Sequence, residues 1–346
     1  MKTLRFGMIG AGFWAKYQLA AWGHVPGVRC TAIANRTRGK ADRLAAEFDV
    51  PATYDDVETM LAAEEFDFID VVTDVGTHRR FVELVAKHKL DAICQKPLAE
   101  STADVRAMIA ACREAGTRLL VHENWRWQTP LRAVKAALDA NAVGKVFRAR
   151  IQYSNSFPVF DNQPFLRSLE RFLLMDIGTH VLDAARFLFG EFESAYCQTC
   201  RVHQGIRGED VATVMLRTVG GATVNCEMSY ASRLENERFP QTFLLIEGER
   251  GSIELGPDYW VRTTTSELTD VKRHAPYQYP WADRDYDVVH ASIVPCLQNL
   301  TADLRSTAPA ETTAADNLRT LELVEAAYES AATGCSVKLR SDAEEE

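Results

Sequence analysis

Long apolar runs are missing from this sequence of 346 residues: none approaches the roughly 20 residues needed to cross a bilayer, so no membrane partner is expected. A charged leader ahead of an apolar stretch is missing too. The first strand pattern begins at Leu4, which leaves no room for a secretory signal and predicts a cytoplasmic protein. Basic blocks are absent, and a net charge of -9 with nothing to offset it argues against a nucleic-acid surface and for a small-molecule partner. The eight cysteines lack the spacing of a disulfide framework, lying scattered in apolar segments as reduced thiols do. Cys197 and Cys200 form a C-x-x-C, but on a strand they face opposite ways and no second ligand pair accompanies them, so no metal is expected. Repeats and low-complexity segments do not occur. With 47% hydrophobic and 25% charged residues, the chain has an ordinary globular composition and length enough for two cores.

What is present begins at once. An apolar run over residues 4–9 leads into Gly10-Ala11-Gly12-Phe13-Trp14-Ala15, then a helical pattern to Trp22 and a second apolar run over 28–34. This is the spacing of a strand–helix–strand unit whose first turn cradles a dinucleotide. Gly10 permits the tight turn, Gly12 lets backbone approach a pyrophosphate, and Ala15 lets the helix lie close to the strand. Phe13 and Trp14 open that helix and join the glycines as expected cofactor contacts. Strand and helix patterns alternate as far as residue 122, which predicts a doubly wound parallel sheet of Rossmann type, with its ligand at the carboxyl ends of the strands. After the second strand, where an acidic residue ordinarily takes the ribose of NAD, this chain has Asn35-Arg36-Thr37-Arg38. The guanidinium groups suit the 2′-phosphate of NADP and Asn35 also suits plain ribose, so the expected cofactor is NAD(P) with neither form selected.

Beyond Glu123 the rhythm changes to mostly strands with turns such as Val219-Gly220-Gly221 between them, and helical patterns return over 287–304 and 315–332. We expect an α/β + α+β chain: a nucleotide-binding domain over 1–123, a substrate-binding and oligomerisation domain over 124–340, and a frayed acidic tail over 341–346. The second domain is read as a mostly antiparallel, open-faced sheet with helices on one face. Its bare face needs a cover, which predicts a homodimer or homotetramer.

Two stretches carry chemistry. Cys94-Gln95-Lys96-Pro97 closes the fifth strand, where Pro97 turns the chain away and leaves Lys96 at the carboxyl end, beside the expected nicotinamide. Asp176 and His180 stand four residues apart in a helical pattern, so both reach one face; that spacing serves a helix cap, an ion pair or a shared substrate equally well. Trp125, Arg126 and Trp127 follow the last parallel strand directly. Aromatic planes beside a guanidinium suit a polyhydroxylated ring, and they are expected to face the cleft between domains.

Taken together, Gly10-Ala11-Gly12, Lys96-Pro97, Glu123-Asn124-Trp125-Arg126 and Asp176 with His180 resemble the Gfo/Idh/MocA oxidoreductase family over essentially the whole chain. The resemblance implies an NAD(P)-dependent dehydrogenase acting on a sugar or polyol. In it Lys96 lies between nicotinamide ribose and substrate, His180 accepts the proton and Asp176 orients the substrate, with Lys96 as base the alternative. A neutral imidazole can take a hydroxyl proton, and a fixed ammonium stabilises the developing alkoxide. Thr73, Asp74, His78, Gln95 and Asn124 are expected along the cofactor; Tyr153, Asn155, Phe160 and Arg167 join Trp125 and Arg126 as expected substrate contacts. Two departures stand out: Gln95 replaces the family's usual Glu, and Asp74 replaces a proline. The variants around Lys96 and over 123–128 resemble the branch that acts on D-apiose, oxidising an anomeric hydroxyl to a lactone. A cyclitol dehydrogenase and a catalytically silent nucleotide sensor are the rivals.

Overall fold

The computed structural model of the protein describes residues 2–235 and 239–339; the acidic stretch over 341–346 lies outside them. The early apolar runs become strands β1 (Leu4–Ile9), β2 (Val28–Ala34), β3 (Ala52–Tyr54), β4 (Phe68–Val71), β5 (Asp91–Gln95) and β6 (Leu119–His122). Between them run helices α1 (Phe13–Trp22), α2 (Arg38–Glu47), α3 (Val57–Ala63), α4 (Val75–Lys87) and α5 (Thr102–Ala115). All pairings are parallel, in the order β3-β2-β1-β4-β5-β6. This is the doubly wound sheet that the alternation predicts, and its order reverses beside β1, where such sheets open a ligand crevice. Local signals fix the connections. Asp56 accepts the Thr59 amide at 2.7 Å to start α3, and Ser101 accepts the Asp104 amide at 3.1 Å to start α5.

The second sheet contains β7 (Val146–Ser154), β8 (Phe192–Cys200), β9 (Val211–Thr218), β10 (Thr223–Ser229), β11 (Phe243–Gly248), β12 (Gly251–Leu255), β13 (Trp260–Thr265), β14 (Thr269–Arg273) and β15 (Val337–Lys338). Helices α6 (Thr129–Asp139), α7 (Val159–Asn162), α8 (Thr179–Phe189), α9 (Asp287–Leu304) and α10 (Ala314–Thr333) interleave with them. The strands lie in the order β14-β13-β12-β11-β7-β10-β9-β8-β15, antiparallel throughout except for the β7–β10 pair. Alternate residues such as Ala149, Ile151 and Tyr153 on β7 and Ala212, Val214 and Leu216 on β9 are buried toward the helices. The other face carries Met215 and Leu245, 46% and 41% exposed, among ion pairs such as Arg150–Glu227 at 2.9 Å. All eight cysteines are free thiols, and Cys197 is buried while Cys200 is exposed.

The described residues divide between two compact units, one within 1–124, 279–282 and 293–319, the other within 125–278, 283–292 and 320–346. Segments 279–282 and 293–319, expected with the second domain, pack with the first. The reason is backbone pairing: Val121 donates to Thr312 O at 2.8 Å, the Thr312 hydroxyl returns a bond to Val121 O at 2.8 Å, and Arg118 reaches Asp303.

Candidate active site

In the first unit the glycine turn has the form of a nucleotide cradle. Gly10 has φ 112°, and a Cβ there would stand 2.1 Å from Val72 O, so only glycine fits. A Cβ on Gly12 would meet nothing within 4 Å, and the N-terminal amides of α1 have no side-chain cap. Open space over an uncapped helix start is where an anionic pyrophosphate fits, so the residues present suit a dinucleotide. Phe13 is 56% exposed at the lip of this turn, and Trp14 is half-buried. Asn35 has its amide oxygen on the Ala11 N–H at 3.1 Å and its amide nitrogen on Thr37 O at 2.9 Å, which ties the end of β2 to the glycine turn. Arg36 is exposed beside it.

At the other strand ends the structure separates the expected residues. Lys96 is half-buried where β5 finishes, before a cis peptide bond to Pro97. Asp74 is exposed and its carboxylate does not cap α4, while the Thr77 hydroxyl donates to Thr73 Oγ1 at 2.8 Å. Asn124 is buried. His78 and Gln95 depart from expectation. His78 is buried, with Nε2 2.9 Å from Thr73 O and Nδ1 3.1 and 3.2 Å from Pro97 O and Leu98 O; burial pushes its pKa down. Its ring laces the β4–α4 turn to the Lys96–Pro97 turn. The Gln95 side chain is directed into the core against Gln18 and His122, because those residues supply the partners its amide needs once buried.

In the second unit Asp176 does not lie in plain α-helix. The segment Leu174–Gly178 is a π-helical turn that runs directly into α8, a type of distortion that recurs at functional sites. Glu209, buried, holds this turn from its N-terminal side. Its carboxylate accepts the amides of Leu174 at 2.9 Å and Phe172 at 3.3 Å and the hydroxyl of Tyr328 at 2.7 Å. His180, one turn on, lies face to face with Trp125, with ring centroids 4.4 Å apart and planes 21° from parallel. Trp125 is itself fixed by an indole N–H bond to Thr242 Oγ1 at 3.1 Å. Buried at 3% exposure, it acts as the platform under His180. Tyr153 meets the Trp125 ring edge-on at 5.7 Å, and its hydroxyl is bonded to the Asn155 and Tyr230 side chains. Burial pushes both phenols up, and the nearby Asp176 carboxylate adds to the effect. Asn155 also accepts the Phe157 amide at 3.1 Å.

Arg126 and Arg167 fall outside this cluster. Arg126 is buried with its guanidinium forked onto Asp183 at 2.8 and 2.5 Å, so it clamps the segment after β6 to α8. Thr320 Oγ1 adds a third group to Asp183 at 3.3 Å. Arg167 is exposed, stacked over the Phe160 ring at 4.9 Å and 3.8 Å from Asp161, and Phe160 is buried beneath it. Glu209, Asp183 and Tyr230 are residues that sequence reasoning misses. Each is an ordinary polar residue in a strand, helix or turn pattern, and only its buried partners reveal its work. Among the described residues no group of three His, Cys, Asp or Glu side chains forms a metal site.

Residues 4–123 match the family model for NAD-binding Rossmann-fold oxidoreductases, and residues 131–254 match that of the GFO/IDH/MocA C-terminal domain. The chain is 41% identical to a D-apiose dehydrogenase of Rhizobium rhizogenes, covering 98% of each, and 40% identical to one of Paraburkholderia graminis, covering 99% of this chain and 91% of that one. Its fold is also similar to the crystal structure of an oxidoreductase from Agrobacterium radiobacter in complex with NAD+, L-tartaric acid and magnesium. The TM-score is 0.95 at 41% identity, with 97% of this chain and 98% of that one covered. The glycine cradle, the two family models and the full-length relatives agree, and the chain belongs to the GFO/IDH/MocA family of NAD(P)-dependent oxidoreductases.

Proposed function

We propose that the protein oxidises the anomeric hydroxyl of an aldose, D-apiose first, to the lactone. When bound, the nicotinamide accepts a hydride from that carbon. His180, its ring pinned by Trp125, takes the hydroxyl proton; Asp176, on the π turn, orients the sugar through its hydroxyls. Lys96, at the end of β5, holds a fixed positive charge for the developing alkoxide. The glycine turn and Asn35 receive the nucleotide, with Arg36 as the charge that would meet a 2′-phosphate. The observation that carries the proposal is the likeness, over nearly the full length of both chains, to dehydrogenases of D-apiose in a chain that has Lys96, Asp176 and His180.

We place this enzyme in the cytoplasm, which its free thiols support, and among homo-oligomers, which the open face of the second sheet supports. No helix among the described residues is long and apolar enough to cross a membrane.

The test is reduced-nicotinamide absorbance with aldoses, D-apiose included, and cyclitols, each with NAD and with NADP. We expect a signal with D-apiose and an acid formed from the lactone; a stable ketone from a cyclitol would replace the proposal. Silence across the panel, with nucleotide binding intact by calorimetry, would favour the sensor. His180→Asn should lower kcat by about 10²–10⁴-fold, the usual contribution of a general base, with nucleotide affinity retained.

A further inference from the structure

Behind Lys96, inside the first unit, lies a chain of buried polar groups to which none of the proposed chemistry assigns a task. Asp70, on β4, is fully buried and partnered by neutral donors. The Trp22 indole N–H donates to it at 2.7 Å, and the Gln18 amide nitrogen stands 2.8 Å from each carboxylate oxygen. Gln18, also fully buried, accepts on its own amide oxygen from the Gln95 amide nitrogen at 2.5 Å. The second hydrogen of that nitrogen goes to His122 Nδ1 at 2.9 Å, directly across the β5–β6 ladder. The Gln95 amide oxygen then accepts the backbone N–H of Lys96 at 3.1 Å.

Every link has the same sense. Lys96 donates to Gln95, Gln95 to Gln18, and Gln18 to Asp70, so all the dipoles point toward the buried carboxylate. Burial pushes the Asp70 carboxyl up to about 7; once ionised, it admits only this orientation, because Gln18 must turn its nitrogen to Asp70 and therefore its oxygen to residue 95. Residue 95 must in consequence donate. Gln does so and still has an oxygen left for Lys96; a carboxylate there would set acceptor against acceptor at Gln18 and add a second buried negative charge.

We propose that Gln95 is a positioning residue for Lys96, the relay through which the buried Asp70 carboxylate fixes the carboxyl end of β5. This rests on the role given to Lys96 above. Its first readout is stability, which needs no turnover.

The test is a double-mutant cycle of Gln95→Glu and Asp70→Asn, followed by thermal midpoint, nucleotide dissociation constant and kcat on D-apiose. A carboxylate at position 95 cannot donate to Gln18, so Q95E is expected to lower the midpoint and to cut kcat about tenfold or more, with nucleotide affinity within about threefold. In the D70N background Gln18 can reverse, taking a hydrogen from the new amide at position 70 and giving one to the carboxylate at position 95, so the double variant is expected to recover most of both losses. Recovery of a folded double variant from an unfolded Q95E counts equally for the proposal. It is overturned if the two substitutions are additive in stability, if neither Q95E nor the double variant folds, or if Q95E weakens nucleotide binding as much as it lowers kcat, which would make Gln95 a direct cofactor contact. Unchanged turnover in Lys96→Ala would remove the catalytic role of Lys96 and leave the stability coupling to decide the relay by itself.

Discussion

Gly10 and Gly12 sit two positions apart in one turn and answer to different constraints. At Gly10 the chain itself forbids a side chain, through φ 112° and the Val72 carbonyl; at Gly12 nothing in the protein does. Gly10→Ala should therefore destabilise the first unit by more than about 1 kcal/mol, the excess over the usual entropic gain of losing a glycine. Gly12→Ala should melt at the native temperature and bind nucleotide more weakly, because its methyl occupies the space left for pyrophosphate. Thermal melts and calorimetry separate the two, and an unaltered dissociation constant in Gly12→Ala would remove the glycine turn from the cofactor site. The motif was legible because these constraints are local to a few consecutive residues. His78, Gln95 and Arg126 were not legible in the same way. A buried imidazole, amide or guanidinium can serve a ligand or the fold, and the partners that decide it lie far off in sequence: Leu98 O for His78, Gln18 for Gln95, Asp183 for Arg126.

Among the elements, the π turn over Leu174–Gly178 was hidden by its own hydrophobic pattern. Leu173, Leu174, Ile177, Val181 and Leu182 are all buried, which reads as one uninterrupted helix. The start of that helical segment leaves backbone amides to be satisfied, and Glu209 takes two of them together with the Tyr328 hydroxyl. Glu209→Ala would strand these donors in the interior. At about 1–3 kcal/mol for each unsatisfied group, the second unit should lose several kcal/mol or fail to fold. Glu209→Gln keeps one acceptor and should cost less, about 1–3 kcal/mol, while lowering kcat more than it raises KM, since the same turn sets Asp176 and His180. A Glu209→Gln variant with wild-type melting would show that the turn holds itself.

For the molecule as a whole, the alternation of strand and helix specified the first sheet, and the inward–outward alternation specified most of the second. The exceptions have physical causes. Every residue of β14 is exposed, so no apolar alternation marks it, and the parallel β7–β10 pairing joins strands separated by a long stretch of chain that carries no register signal. The open face was legible, and its register gives it a definite character. Across β11, β7, β10, β9 and β8 the residues Leu245, Arg150, Asn225, Met215 and Tyr196 fall in one row, with Arg150 reaching Glu227 in one flanking row and Arg148 paired to Glu247 in the other. Apolar side chains ringed by both signs of charge can cover an identical face turned about a two-fold axis, each cation meeting an anion. Light scattering should then give at least twice the chain mass of 38.7 kDa at micromolar concentration. Leu245→Glu with Met215→Glu, which puts two like charges into the row in place of its apolar side chains, should return the monomer mass with both units still folded. A wild-type monomer would overturn the assignment, and so would a double variant that stays assembled, because the second copy would then be held by some other face.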